Sequence, residues 1–260
     1  MSYFSRYKSF IFRLDYLKIN KTSGIKKLIF FLMLKKVNAY RWIKAMLILN
    51  SVNSLDEYFY KLNIIWYGGN EGHTQQVTEE TNFLVENASE KQDILEIGFN
   101  GGHSSETFLS SNNTAHITSV DIGFHHYVKF GRLYLKRKFR NRFELHLGPS
   151  SEILPKLIRQ KNKYDLIFID GSHEYLDVKK DLKNSLALAS KDTILILDDV
   201  FFPKSETDKN YFDGHNVGPT KAWSELIDSN QIDTVNYIEF ESSSTNKRSI
   251  VSGVLNQDIV

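Results

Sequence analysis

Residues 94–105 read ILEIGFNGGHSS. An apolar-rich run interrupted only by Glu96 stops at Gly98, and Gly101 and Gly102 then lead into a segment with helical character. Glycines let the backbone turn sharply and come close to a ligand, and the helix that follows offers free amides and the positive end of its dipole. The GxxGG spacing departs from the GxGxxG dinucleotide fingerprint, so a purely structural turn explains these glycines equally well at this point. What decides the fold is that the pattern continues.

Working outward, HITSVDI (116–122) is followed by a helical stretch over 126–139, FELHLG (143–148) by one over 151–159, YDLIFID (164–170) by one from Glu174, and TILILDD (193–199) by one from about Pro219. Strand and helix alternating at this spacing predict an α/β domain with a mostly parallel sheet covered on both faces, a Rossmann-like arrangement. Leu166–Ile169 and Ile194–Leu197 are unbroken apolar runs, as expected of strands buried on both sides, so they should be central. VNYIEF (235–240) and RSIVSGVL (248–255), joined by a polar turn, predict a closing antiparallel hairpin at the edge.

The first 70 residues differ from the rest. Residues 1–50 hold eleven Lys or Arg against the single acid Asp15, so the overall charge of +2 conceals a basic extension and an acidic body. The apolar spacing over Ile25–Asn50 predicts helix. Its longest apolar run, Leu28–Leu34, is far short of the roughly 20 residues that span a bilayer. No apolar segment leads to a small-residue cleavage site, which gives the expectation of a cytoplasmic protein, with peripheral membrane contact through the basic extension left open. We place the boundary at residue 70: a basic helical extension over 1–70, serving as lid, dimerisation element or membrane-surface contact, and a catalytic body over 71–260. The absence of Cys excludes disulfides, thiolate metal sites and cysteine nucleophiles, so any metal must sit on oxygen or imidazole.

The strand ends carry the chemistry. Asp121 closes the second strand, 19 residues beyond Gly102, where a carboxylate can take both hydroxyls of a ribose; a solvated loop cap is the plainer alternative. Ser150 and Ser151 follow the third strand and either cap a helix or face an adenine edge. Asp170 ends the fourth strand, and Asp198 and Asp199 end the fifth. Adjacent parallel strands deliver these acids to one edge, where three carboxylates resist ionising unless a cation sits among them. Magnesium, or another hard divalent cation, is the natural choice; alternatively one acid caps a helix and another faces solvent.

ILEIGFNGG, SVDIG, GPSSEILPKL, YDLIFIDGSHEY and ILILDDV, in this order and spacing, resemble the class I S-adenosylmethionine-dependent methyltransferases. Within them the likeness is to the divalent-cation-dependent O-methyltransferases, of the catechol and macrolide-sugar types. The resemblance covers about residues 90–255 and implies a seven-stranded sheet. It implies that Glu96, Gly98, Asn100, Gly101, Gly102 and Ser104 bind the cofactor, with Asp121 on its ribose, Ser150 and Ser151 near adenine, and Asp170 at its edge. It further implies Asp170, Asp198 and Asp199 as ligands of Mg2+. Two adjacent acids at 198 and 199 are similar to the sugar-modifying relatives, whereas the catechol enzymes usually have Asn at the second position. Where the catechol enzymes have a Lys base, three residues past the first metal acid, this sequence has His173.

His173 can accept a proton near neutral pH, with Asp170 beside it as a catalytic residue; a role in starting the next helix is the alternative. His125 and His126 lie just beyond Asp121, and His215, Tyr211 and Phe212 fall in a long loop suited to a lid or acceptor wall. The basic stretch over 127–143 does not point to nucleic acid, because the acidic body interrupts any continuous basic groove. The expectation is therefore methyl transfer from S-adenosylmethionine to a hydroxyl of a small-molecule or glycan acceptor, preferably a sugar, with a phenolic acceptor as the alternative. A catalytically silent cofactor-binding scaffold is the reading from another class. Related enzymes imply a homo-oligomer, a dimer or larger.

Overall fold

A computed structural model describes residues 39–62, 64, 75, 77–205, 214–243 and 246–256. By internal contacts the chain divides into two units, 1–52 and 53–260. Of the first unit, residues 39–48 form a helix whose Tyr40, Ile43 and Leu47 are exposed. The expected boundary at residue 70 lies outside the described residues. No helix among the described residues is long and apolar enough to cross a membrane.

The second unit begins with α1 (Leu55–Lys61) and α2 (Thr78–Ala88). The Ser54 hydroxyl caps α1 by accepting from the Glu57 amide at 3.1 Å, satisfying one of the helix's orphan donors. There follow β1 (Asp93–Ile97), α3 (His103–Ser111), β2 (His116–Asp121), α4 (Val128–Phe139), β3 (Phe143–Leu147), α5 (Ser150–Arg159), β4 (Tyr164–Ile169), α6 (Tyr175–Leu188), β5 (Ala189–Asp198), α7 (Val217–Asp228), β6 (Ile232–Ser243) and β7 (Asn246–Leu255). The strands form one seven-stranded sheet in the order β3-β2-β1-β4-β5-β7-β6. The first five are parallel, while β7 runs antiparallel to both β5 and β6. The expected Rossmann-like sheet with a terminal hairpin is therefore present.

The hairpin does not simply extend the edge in chain order. The last strand, β7, inserts beside β5, and β6 becomes the outer strand. β7 carries the apolar pair Ile250 and Val251, both fully buried, and so takes the inner position.

Alternation along the strands assigns the two faces. Leu95, Ile97, Ile167, Ile169, Leu195 and Leu197 share one cluster with Leu154 and Leu157 of α5, Leu182 of α6 and Trp223 of α7. On the other face Phe168 meets Phe108 of α3 edge-on, with ring centroids 5.9 Å apart. Each such fully buried side chain contributes roughly 1.5–3 kcal/mol relative to exposure. The strand order reverses between β1 and β4, and in open α/β sheets the ligand crevice lies outside the carboxyl ends of the strands at such a reversal.

Candidate active site

At the reversal the backbones of β1 and β4 are pressed together. The Asp170 amide donates to Ile97 O at 2.8 Å. A Cβ on Gly98, whose φ is +106°, would lie 1.8 Å from Asp170 O, so only glycine lets the turn pass this close to β4. The loops after β1, β2 and β3 are tied in the same way, through Gly98 N to Val120 O and Gly148 N to Asp121 O, both at 2.8 Å. Gly102, at φ +97°, then starts α3, and Asn100 between them is also left-handed, at φ 48°. Gly101 packs tightly, since a Cβ there would meet the His103 ring at 3.0 Å.

Asp121 sits where a ribose acid is expected. Its Oδ2 accepts from the Asn100 amide at 2.8 Å and its Oδ1 from the Gly123 amide at 2.7 Å, so two loops fix the carboxylate. Each carboxylate oxygen has a further lone pair for a ligand hydroxyl. The glycine turn and this acid together fit a nucleoside cofactor.

Glu96 and Ser104 are buried and bond to each other. Glu96 is fully buried and accepts from the Ser104 and Ser105 hydroxyls, each at 2.5 Å, while Ser105 also meets Ser119 at 3.0 Å. Burial pushes the Glu96 carboxyl up and the serine hydroxyls oppose the shift. Strand parity is the reason: Glu96 pairs with Ser119 and Phe168, on the face covered by α3. Through these bonds both residues tie β1 to α3. Ser150 and Ser151 open α5, but its cap position is Pro149, with no side-chain cap bond. Ser150 is half-buried and Ser151 is exposed.

The acids of β4 and β5 do converge, and a basic residue converges with them. Arg248 donates through one terminal nitrogen to Asp198 Oδ2 and through Nε to Asp199 Oδ1 at 3.3 Å, and its other terminal nitrogen lies 3.6 Å from Glu80 Oε2. Asp198 pairs with Ile250 across β5 and β7. Directly opposed side chains share a face, and two residues back along β7 the same face carries Arg248. Asp199 adopts a left-handed φ of 57°, and its amide donates to Ser249 O at 2.9 Å. Its second oxygen, Oδ2, meets His173 Nε2 at 2.8 Å, and the His215 ring stands edge-on to His173 at 5.1 Å.

The electrostatics follow from burial and this pairing. Burial, reinforced by Asp198, raises the Asp170 carboxyl well above the usual range. Burial pushes Asp198 up to about 6 against the opposing charge of Arg248, and pushes Glu80 up to about 8 with Asp198 adding to it. For Asp199 burial acts upward, but the bond to His173 and the guanidinium outweigh it and hold the carboxyl below its ordinary value. The bond to Asp199 raises the His173 imidazole, with burial opposing.

A magnesium ion needs near-octahedral oxygens at about 2.0–2.1 Å. Here the guanidinium nitrogens lie against the oxygens of Asp198, Asp199 and Glu80. Among the described residues no three Asp, Glu or His side chains are arranged to hold a metal. Asp198 and Asp199 stand at the end of β5 with Asp170 at the end of the neighbouring β4, yet as arranged they do not fit the expected Mg2+, because the Arg248 guanidinium already holds oxygens of Asp198 and Asp199.

Sequence reasoning missed Arg248 and Glu80. The signals were present: Glu80 falls on the buried stripe of α2 with Phe83, Leu84 and Ala88, and Arg248 shares a face of β7 with buried Ile250, two residues on. A charged residue at a core-facing position is the informative exception. Tyr211 and Phe212 lie outside the described residues. His125 stacks on Tyr127 at 4.9 Å, in the loop beyond Asp121.

Residues 95–200 match the family model described as a methyltransferase domain. No curated protein matches the chain. Among solved structures, an O-methyltransferase from Bacillus cereus in complex with SAH is 16% identical, with 84% of this chain and 99% of that one covered and a TM-score of 0.61. The O-methyltransferase TomG from Streptomyces achromogenes, in complex with SAM, is 19% identical over 69% of this chain and 81% of that one, with a TM-score of 0.55.

Proposed function

We propose, from the premise that this chain carries a methyltransferase domain on the class I methyltransferase fold, that it transfers a methyl group from S-adenosylmethionine to a hydroxyl oxygen, with a sugar or glycoside as the acceptor class. The observation that carries the choice of oxygen is the His173–Asp199 pair, held at 2.8 Å on the edge beside the glycine turn. When bound, S-adenosylmethionine supplies an electrophilic methyl carbon on sulfur. The Asp121 carboxylate accepts from its ribose hydroxyls, and the turn from Gly98 to Gly102 accommodates the rest by close backbone approach.

His173 takes the acceptor's proton at one ring nitrogen, while Asp199 bonds the other, fixes the tautomer and stabilises the imidazolium that forms. A sugar hydroxyl is a weak acid, so it needs such a base, whereas a phenol ionises more readily. No step is assigned to magnesium, since Arg248 lies where the ion is expected.

The test is methyl transfer from radiolabelled S-adenosylmethionine to a panel of glycosides and phenols, with wild type and His173→Ala side by side. Turnover of a glycoside that falls about 100- to 10,000-fold in the variant, the usual scale of general base catalysis, supports the reading. Turnover of phenols alone, at a near wild-type rate in the variant, overturns the sugar assignment and the role of His173.

A further inference from the structure

We propose that Arg248 is a resident, covalently tethered cation in the place where a divalent metal is expected, and that this site operates without a divalent metal. As a positioning residue, it also holds Asp199 against His173. The second role rests on the function proposed above; the first does not.

The geometry makes both points. Arg248 reaches three carboxylates of distant origin, Glu80 from α2 and Asp198 and Asp199 from the end of β5. Its side chain is 22% exposed, while those of Asp198 and Glu80 are 2% and 0% exposed, so its charge works where water screens little. Two anions at the end of β5 could not stay buried without a counter-charge, and the guanidinium supplies it with a planar fork of donors that a lysine lacks. One Asp199 oxygen faces Arg248 and the other faces His173, so the guanidinium sets the plane of the carboxylate that orients the imidazole. Asp198 Oδ1 and both Glu80 oxygens have no hydrogen-bond partner among the described residues, so the cluster keeps spare acceptor capacity. If the guanidinium were removed, these acids would become an oxygen-rich pocket suited to a hard cation.

Mn2+ serves as the probe, titrated into wild-type full-length protein and followed by the loss of its free-ion electron paramagnetic resonance signal. Wild type is expected to take up no Mn2+ at concentrations that saturate the Arg248 variants, and its melting temperature should not move with added Mg2+. Arg248→Ala and the longer, uncharged Arg248→Gln should each bind Mn2+ at one site, at least tenfold more tightly than wild type, and should melt higher with added Mg2+, as binding to the folded state alone requires. A merely structural arginine would not create that metal-linked melting shift. Stoichiometric Mn2+ uptake by wild type, lost in Asp198→Asn, would overturn the proposal. So would a folded Arg248 variant that remains blind to both ions, because the acids would then not be a cation site at all. If neither variant folds, the wild-type titration decides alone. S-adenosylhomocysteine titration of the same samples separates the two readings: loss of nucleoside binding in wild type sinks the proposed function, and Mn2+ uptake sinks the tethered cation.

Discussion

Replacing Asp121 by Ala tests the cofactor crevice most directly. The carboxylate is held by two backbone amides, Asn100 N at 2.8 Å and Gly123 N at 2.7 Å, which leaves lone pairs on the same two oxygens for a ribose diol. Hydrogen bonds to a charged group contribute about 1.5–3 kcal/mol, and each 1.4 kcal/mol is roughly tenfold in affinity. Loss of the acid should therefore weaken S-adenosylhomocysteine binding by roughly 10- to 150-fold. The stability cost should be smaller. Asp121 is part-exposed, so water replaces the lost acceptors at the two amides, and about 0.5–1.5 kcal/mol per bond is the ceiling, a few degrees in melting temperature for a chain of this size. Asp121→Asn keeps one acceptor oxygen and should fall between. Isothermal titration calorimetry gives the affinities and differential scanning calorimetry the melting temperatures. An Asp121→Ala protein that melts within a few degrees of wild type and binds S-adenosylhomocysteine unchanged would refute the reasoning and place the nucleoside elsewhere.

Three further outcomes are expected. Because Asp199 raises the His173 imidazole and a base must be neutral to act, the rate should climb with pH through a midpoint above the ordinary value of about 6.5; Asp199→Asn should lower that midpoint, and an unmoved profile would remove His173 from the proton path. Gly98→Ala should fail to bind S-adenosylhomocysteine or fail to fold, since its Cβ would overlap Asp170 O at 1.8 Å with φ at +106°; wild-type affinity in a folded variant would contradict the packed switch point. Glu80, raised to about 8 in the fold, stabilises most below its ordinary range near 4.5 and loses that contribution as pH rises through about 8; Glu80→Gln should accordingly gain in melting temperature relative to wild type at pH 9 compared with pH 5, and equal differences at both would show that Glu80 is already ionised.

Much of this was legible in the chain itself. The alternation of strand and helix from residue 93, the glycine turn and the acids at 121, 170, 198 and 199 are local patterns, because side-chain parity along a strand and apolar spacing along a helix need no distant partner. Parallel strands then carry their end residues to one edge, which is why the sequence alone groups the acids. Glu96 and Ser104 show the limit within one segment. Their position beside the turn suggested a cofactor role, while strand parity turns Glu96 to the face of α3 and leaves both its oxygens bonded to serines.

The tertiary structure decided what lies between the acids. Arg248 is 50 residues from Asp198 in the chain and meets it only because β7 enters the sheet beside β5 ahead of β6. Glu80 arrives from a helix that precedes the first strand. Strand order and helix placement are set by non-local burial, not by local propensity, so the sequence determined that carboxylates gather at this edge, while the counter-charge among them was decided by which strand the closing hairpin set against β5.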